Sequence, residues 1–282
     1  MHSELLNWFY QNKRNLPWRR GRTPYRVWVS EIMLQQTQVN TVIPYYKKWI
    51  KKYPTLKSFK ESNFDDVIKI WEGLGYYSRC HNMFNAAKLI NSTFPNNYDD
   101  LINLPGIGDY TAKTILAIAF KKNFVGIDTN LERIGYRILG LKTKTKRNKK
   151  RVVEYLEKNQ CANNPGDYNE ALMDLGSSLC KASITYCNQC PLKKICKAYT
   201  SSSPILYPTP KVPKKIPIYD IAVSVVEYQN KILITRRQNK NFLPGLWEFP
   251  GGKIEKNETA TQAIIREVKE ETNLTVSNPI FL

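Results

Sequence analysis

Apolar side chains recur three and four positions apart over residues 29–39, 112–120, 131–139 and 169–179, the spacing that lines one face of a helix. Strand-like alternation is scarce before residue 200, so that part of the chain is predicted to be all-α. From 201 to 217 the sequence is rich in Ser and Pro. Repeated proline favours extended, weakly packed backbone, and the segment reads as an interdomain linker. Beyond it, residues 221–226 and 231–235 read as strands joined through Tyr228-Gln-Asn230, and helical spacing follows over 261–271. The expected organisation is an α domain over 1–200, a linker over 201–217 and a smaller α/β domain over 218–282. The longest apolar runs, 115–120 and 221–226, fall far short of the roughly 18 residues that span a bilayer, so no membrane helix is expected.

With 282 residues, 42% of them hydrophobic, the chain is long enough for two packed domains, which excludes disorder, a coiled coil and a mini-protein. Charge then narrows the class of partner. Forty-three Lys and Arg against 24 Asp and Glu give a formal net charge of +19, and 32 of those cations lie in residues 1–199 with only 16 acids. A polyanion such as nucleic acid is favoured, and the binding surface belongs to the first domain. An acidic protein or a membrane surface stays open as a partner. The first residues, Met1-His-Ser-Glu-Leu-Leu-Asn-Trp8, lack the basic and apolar regions of a secretory signal, so a chain that is not secreted and works in a reducing compartment is expected.

Two local patterns carry candidate chemistry. Leu104-Pro-Gly-Ile-Gly-Asp-Tyr110 joins two helical segments: Pro105 ends the first, Gly106 and Gly108 permit positive φ, and Asp109 can cap the second. Such a hairpin lets backbone N–H groups and a helix N-terminus approach a phosphate, although an ordinary helical connection has the same composition. Further on, Cys180-x6-Cys187-x2-Cys190-x5-Cys196 gathers four of the six cysteines within seventeen residues. Four thiolates suit tetrahedral zinc or a [4Fe-4S] cluster, and spacing alone does not separate them. Disulfides are the alternative, disfavoured for a chain that is not exported. Cys80 and Cys161 lie outside the group and read as structural thiols. The basic run 142–151 is either a phosphate-binding loop or a solvated one.

The order of hairpin, Val125-Gly-Ile-Asp128-Thr-Asn130 and four cysteines resembles the endonuclease III superfamily of DNA glycosylases over essentially residues 1–199. Within it, Leu16-Pro-Trp-Arg19, Ser30-Glu-Ile-Met-Leu-Gln-Gln-Thr-Gln38, Trp71-Glu-Gly-Leu-Gly-Tyr-Tyr-Ser-Arg79 and Asn169-Glu-Ala-Leu-Met-Asp-Leu-Gly176 look like the MutY-type adenine DNA glycosylases. The resemblance implies a mainly α helix-hairpin-helix glycosylase domain whose cysteines hold a [4Fe-4S] cluster rather than zinc. It implies a monomer acting on double-stranded DNA that carries adenine opposite 8-oxoguanine or guanine, in the cytoplasm and associated with the nucleoid in a prokaryote.

Cutting adenine from deoxyribose passes through a cation-like sugar and needs an acid for the leaving base and a carboxylate for the sugar. Glu31 sits among Trp28, Val29, Ile32, Met33 and Leu34, where burial would keep it protonated near neutral pH, the alternative being a helix carboxylate paired with an Arg. By resemblance Glu31 protonates the adenine. Asp128 precedes a helical segment and is already expected as a helix cap. By resemblance it stabilises the sugar cation, with Asn130 in support. Tyr110 stands where bifunctional relatives carry a nucleophilic Lys, and a phenol forms no Schiff base, which implies base excision without efficient strand cleavage. Lys113, one turn later, reads as an exposed helix lysine. A base must leave the duplex to be reached, so something fills the gap. Gln36 and either Tyr76 or Tyr77 are the implied wedges, and Arg14, Trp18, Arg19 and Glu170 the implied lining of the adenine pocket.

After the linker, Gly252-x5-Glu258-x7-Arg266-Glu-Val-Lys-Glu-Glu271-x-Asn273 resembles the Nudix box, with Asn273 where that box carries Gly. Glu267 with Glu270 or Glu271 would share a helix face able to bind Mg²⁺ if the box is active, unless the helix is merely acidic and amphipathic. From Lys211 only 72 residues remain, about half of what the resemblance leads one to expect of a Nudix fold, so a partial Nudix-like domain is expected. Two other functions compete with the glycosylase: a pyrophosphohydrolase of oxidised nucleotides, and a DNA-binding protein without catalysis.

Overall fold

A computed structural model of the protein describes residues 1–91, 93–201, 203–210, 217–237 and 246–281. The chain separates into two compact units, Met1–Lys211 and Val212–Leu282. The first is helical: α1 His2–Asn12, α2 Pro24–Leu34, α3 Val39–Lys52, α4 Leu56–Lys60, α5 Phe64–Trp71, α6 Tyr77–Leu89, α7 Tyr98–Ile102, α8 Asp109–Phe120, α9 Thr129–Leu139, α10 Lys146–Lys158, α11 Pro165–Ser178 and α12 Lys197–Thr200. No helix among the described residues is long and apolar enough to cross a membrane.

Two apolar clusters hold this unit together. One is built from residues 16–118 and centres on Trp28, Trp49, Phe59 and Trp71, whose rings meet largely edge to face. The other joins Leu5, Leu6 and Phe9 of α1 to apolar faces of α9, α10 and α11. Helices α2 and α8 contribute to the first cluster, α9 and α11 to the second, and α8 packs on α11 where the two adjoin.

Three local expectations change. The predicted helix over 29–39 is two helices: α2 stops at Leu34, Gln36 takes φ 56°, and α3 begins at Val39. Nothing in Leu-Gln-Gln-Thr-Gln marks that turn, because the carbonyls of Ile32 and Met33 are captured from 46 and 47 residues away by Arg79. In the hairpin, Gly106 has φ 79° and its missing Cβ would lie 2.9 Å from that of Asn82, whereas Gly108 is extended at φ −95° and needs no special freedom. Gly108, not Asp109, caps α8. Asp109 lies in the first helical turn, where it accepts from the Tyr98 hydroxyl (2.8 Å) and pairs with Lys113 (3.1 Å).

Part of the expected linker is anchored. Arg137 Nε donates to the carbonyls of Pro204 and Tyr207, both at 3.0 Å, and Thr209 N–H to that of Lys142 at 2.8 Å. The described residues 203–210 therefore belong physically to the helical unit.

The described residues of the second unit form six short strands, β1 Ile221–Val223, β2 Glu227–Tyr228, β3 Lys231–Ile232, β4 Thr235–Arg236, β5 Trp247–Glu248 and β6 Gly251–Lys253, and the helix α13 Ala260–Thr272. The two longer strands expected here are each divided. Strands β2 and β3 form the hairpin through Gln229 and Asn230, both at positive φ, while β1 pairs antiparallel with β6 and β4 with β5. Helix α13 packs on β1 and β6 around a core of Ala222, Ala263, Ile264 and Val268. Asn273 ends it in the left-handed region at φ 59°, which explains why Asn can stand where the box motif carries Gly.

Candidate active site

Helix α2 buries nearly its whole length from Tyr25 to Met33, and Glu31 goes in with it. Its carboxylate is 6% exposed and meets no Arg or Lys, which removes the ion-pair alternative. Its partner is the phenol of Tyr110 on α8, which donates to Oε2 at 2.9 Å. Burial pushes the Glu31 pKa up to about 7. The Tyr110 hydrogen bond opposes that rise, and the charges of Glu170 and Asp128 add to it. Burial and the charges of Glu31 and Asp128 push the phenol well above its ordinary range, so it remains a donor.

Asp128 caps α9 as expected. Its Oδ1 accepts the N–H groups of Asn130 and Leu131, both at 2.8 Å, and its Oδ2 accepts Asn130 Nδ2 at 2.8 Å. Three donors hold this carboxylate where Glu31 has one. Asn130 is itself oriented by Arg133, whose Nη2 donates to its Oδ1 at 3.0 Å and to the Gly176 carbonyl at 2.8 Å.

Glu31 forms part of the wall of a pocket lined also by Arg14, Trp18, Arg19, Glu170 and Met173. All four residues assigned to the base pocket thus converge on one cavity with the candidate acid. Trp18 lies edge-on to Tyr46. The charged residues form a ladder between the 14–22 segment and α11: Arg14 and Arg19 pair with Asp174 at 2.6 and 2.8 Å, and Arg22 pairs with Glu170 and Asp167, both at 2.6 Å. Arg19 Nε lies 3.4 Å from Glu170. Burial raises the Glu170 pKa against the lowering pull of Arg19 and Arg22. Glu31 and Glu170 share a pocket, yet only Glu170 is faced by cations.

Gln36 and Tyr76 are both exposed and both at positive φ, 56° and 49°, at the tips of neighbouring turns. Tyr77 instead begins α6 half-buried against the first cluster, so of the two tyrosines only Tyr76 is free to project. Lys113 is half-buried and paired with Asp109 and Glu157 rather than exposed. The run 142–151 is not a loop throughout: from Lys146 it forms α10, and Lys144 and Lys149 both face Glu132.

Cys180, Cys187, Cys190 and Cys196 line one cavity with Arg137, Leu179 and Tyr199. Arg137 Nη1 donates to Cys180 Sγ at 3.1 Å. Among the described residues no three Cys, His, Asp or Glu side chains are placed to hold a single ion. Cys80 lies buried in the first apolar cluster and Cys161 beside the second.

In the second unit Arg266 occupies the box helix. It pairs with Glu258 and Glu267 at 2.9 Å and with Glu270 at 3.4 Å, while Glu271 Oε2 lies 3.4 Å from the Thr235 hydroxyl. The Glu267 carboxylate lies where a Cβ on Gly252 would fall, 2.1 Å from that point. Of the three carboxylates expected for Mg²⁺, Glu267 and Glu270 are therefore engaged with Arg266.

Several residues escaped the sequence reading: Asp174 and Arg22 of the ladder, Arg79, Arg133 and Arg137. The available signal was an arginine in an otherwise apolar helical pattern, as at Arg133 and Arg137, four apart on α9.

Residues 29–159 match the model of the HhH-GPD superfamily of base excision DNA repair proteins, and residues 218–281 the NUDIX domain. The adenine DNA glycosylase of Buchnera aphidicola subsp. Baizongia pistaciae is 35% identical over all of this chain and 85% of its own length. That of Buchnera aphidicola subsp. Schizaphis graminum is 38% identical over 87% of this chain and 73% of its own. Among solved structures, a thermostable thymine-DNA glycosylase superposes with a TM-score of 0.65 at 25% identity, covering 71% of this chain and 95% of that one. With relatives of that name matched along the whole of its length, the chain belongs to the adenine DNA glycosylases, enzymes of base excision repair that hydrolyse an N-glycosyl bond.

Proposed function

We propose that this protein excises adenine from duplex DNA where it faces 8-oxoguanine or guanine, by acid-assisted hydrolysis without strand cleavage. The observation that carries the reading is Glu31: a buried carboxylate, free of cations and with a pKa raised to about 7, on the wall of a pocket that also presents Arg14, Arg19 and Glu170. Such a group is half protonated near neutral pH and can give its proton to a ring nitrogen of adenine as the bond to C1′ breaks and the bonding pair leaves with the base. Glu170, with Arg19 and Arg22 against it, is the charged acceptor for the exocyclic amine.

Asp128, its carboxylate held by three donors, opposes the positive charge that develops on the sugar. By analogy with retaining glycosidases it adds to C1′ and is then displaced by water, whose proton returns to Glu31. Tyr110 orients Glu31 and offers no amine to the sugar. Gln36 and Tyr76 enter the stack as the adenine leaves it. Cys180, Cys187, Cys190 and Cys196 would hold a [4Fe-4S] cluster, which would cross-link their loop and give broad absorbance near about 400 nm. Arg137 at the Cys180 sulfur balances thiolate charge.

Single-turnover adenine release, with A placed opposite 8-oxoguanine, guanine or thymine, is the test, with and without hot alkali to reveal abasic sites. Strand breaks that need alkali, are fastest opposite 8-oxoguanine and are lost in Glu31→Gln are expected. Breaks without alkali would overturn the monofunctional reading, and release that is unaffected by Glu31→Gln would overturn the assignment of the acid.

A further inference from the structure

We infer that Arg79 is a positioning residue for base extrusion, a single buried guanidinium that locks the two wedge-bearing turns at a fixed separation. The inference rests on the reading of Gln36 and Tyr76 as wedges. Arg79 lies on α6, three residues after Tyr76, yet its side chain is 8% exposed and turned inward. Its Nη1 donates to the carbonyls of Ile32 (3.0 Å), Met33 (2.9 Å) and Gln35. Its Nη2 donates to Thr37 Oγ1 (3.0 Å) and to the carbonyls of Leu74 (3.4 Å) and Gly75 (3.2 Å). One planar group therefore closes both turns, Gln36 lying between two of its acceptors on one side and Tyr76 next to a third on the other. The Tyr76 ring also stands over the guanidinium, 5.2 Å from centroid to Cζ.

The chemistry explains why an arginine is required. Helix α2 ends at Leu34; the turn that follows reaches the carbonyls of Ile32 and Leu34 only through long N–H bonds from Gln35 and Thr37, both 3.3 Å, and, with Gln36 left-handed, no backbone N–H among the described residues donates to the carbonyls of Met33 and Gln35. Only a fork with several fixed donors can satisfy acceptors from two segments at once; a lysine ammonium is a point donor on a flexible stem. Among the described residues no carboxylate pairs with Arg79, so its charge is spread over carbonyl dipoles and the Trp71 and Tyr76 rings. Residues at positive φ are strained and persist only where the surroundings fix them. Here the same side chain fixes both. Extrusion is then done by two pre-set side chains, and the ordering of the turns is complete before DNA arrives.

The experiment uses the full chain with 2-aminopurine beside the target adenine in a duplex, at saturating protein so that affinity does not enter. Wild type, Arg79→Lys, Arg79→Met and the milder Thr37→Val are compared for the fluorescence rise on extrusion and for adenine release from duplex and from single-stranded DNA. Expected is a fall of about tenfold or more in the duplex extrusion rate for Arg79→Met, a smaller fall for Arg79→Lys and about threefold for Thr37→Val, each exceeding the fall on single strands. An equal loss on duplex and single strand would make Arg79 a part of the fold only and overturn the proposal. Thr37→Val keeps the test open should Arg79→Met not fold, and full-rate extrusion by it together with Arg79→Lys would also overturn it. Gln36→Ala and Tyr76→Ala separate the two readings: extrusion unchanged in both removes the wedge assignment itself, whereas extrusion lost in both but intact in the Arg79 variants removes only the role of Arg79.

Discussion

Helices α2 and α13 each carry motif glutamates, one in each unit, and the fold treats them differently. Helix α2 is buried on nearly every side, so Glu31 loses water and has no cation to compensate, and its proton becomes transferable near pH 7. Helix α13 buries Ala263, Ile264 and Val268, and Glu267 and Glu270 are met by Arg266, with Glu258 joining the pair. A carboxylate met in that way is already engaged by a guanidinium. The difference teaches that a motif becomes a reactive site only when packing removes the cheap ways of satisfying its charge.

The comparison is broken most sharply by exchanging each acid for its amide. Glu31→Gln is expected to slow adenine release by about 10² to 10⁴-fold, the usual loss for a general acid, while Glu270→Gln changes it by less than about twofold. Single-turnover release on one duplex checks both. Asp128→Asn comes next, with a loss of about 10² to 10³-fold and little change in melting temperature, because an Asn still caps α9.

Proton linkage gives a third, smaller effect. Burial in the folded chain pushes the Glu31 pKa up to about 7 from its ordinary 4.5. Between those values the folded chain holds a proton that the unfolded chain has released. Stability from this group is therefore full below 4.5 and is lost as pH rises towards 7, with roughly 3 kcal/mol at stake. Glu31→Gln removes that dependence, so its melting temperature relative to wild type should be higher at about pH 8 than at about pH 4. Adenine release by wild type should fall as pH passes upward through 7. Removing the Tyr110 hydrogen bond in Tyr110→Phe lets burial act unopposed and should move that falling limb to higher pH, which a pH–rate profile reads directly.

The smallest expected effect is on α13. Its capping box, Thr259 with Gln262, is broken by Thr259→Ala at a cost of about 1 kcal/mol to the second unit. Adenine release from single-stranded DNA should not follow it.

Much of the helical fold was legible because α8, α9 and α11 carry apolar residues at helical spacing, although α8 and α11 bury more than one stripe, α8 with the five consecutive residues 114–118. The turn at 35–38 was not, since its cause is Arg79, more than 40 residues away. Glu31 could be read as buried from its apolar neighbours, but its hydrogen bond to Tyr110 was not read: the family motif marked Tyr110 only as standing in place of a lysine, and the two lie 79 residues apart. The ion ladder joins residues 145 to 160 apart, and nothing local in Asp174 or Arg22 announces it. The short strands of the second unit were overestimated because apolar runs say little about where pairing stops.

The joining of α1 to α11 and α9 sets an order of events during synthesis. The first apolar cluster draws on a continuous stretch, 16–118, and can condense as soon as that stretch has left the ribosome. The second needs Leu5, Leu6 and Phe9 to wait for partners as late as Leu175 and Leu192. Because Glu170 and Met173 belong to that late part while Glu31 belongs to the early one, the pocket is assembled last. A nascent chain can thus carry its acid for much of its translation without owning a place for a base to react.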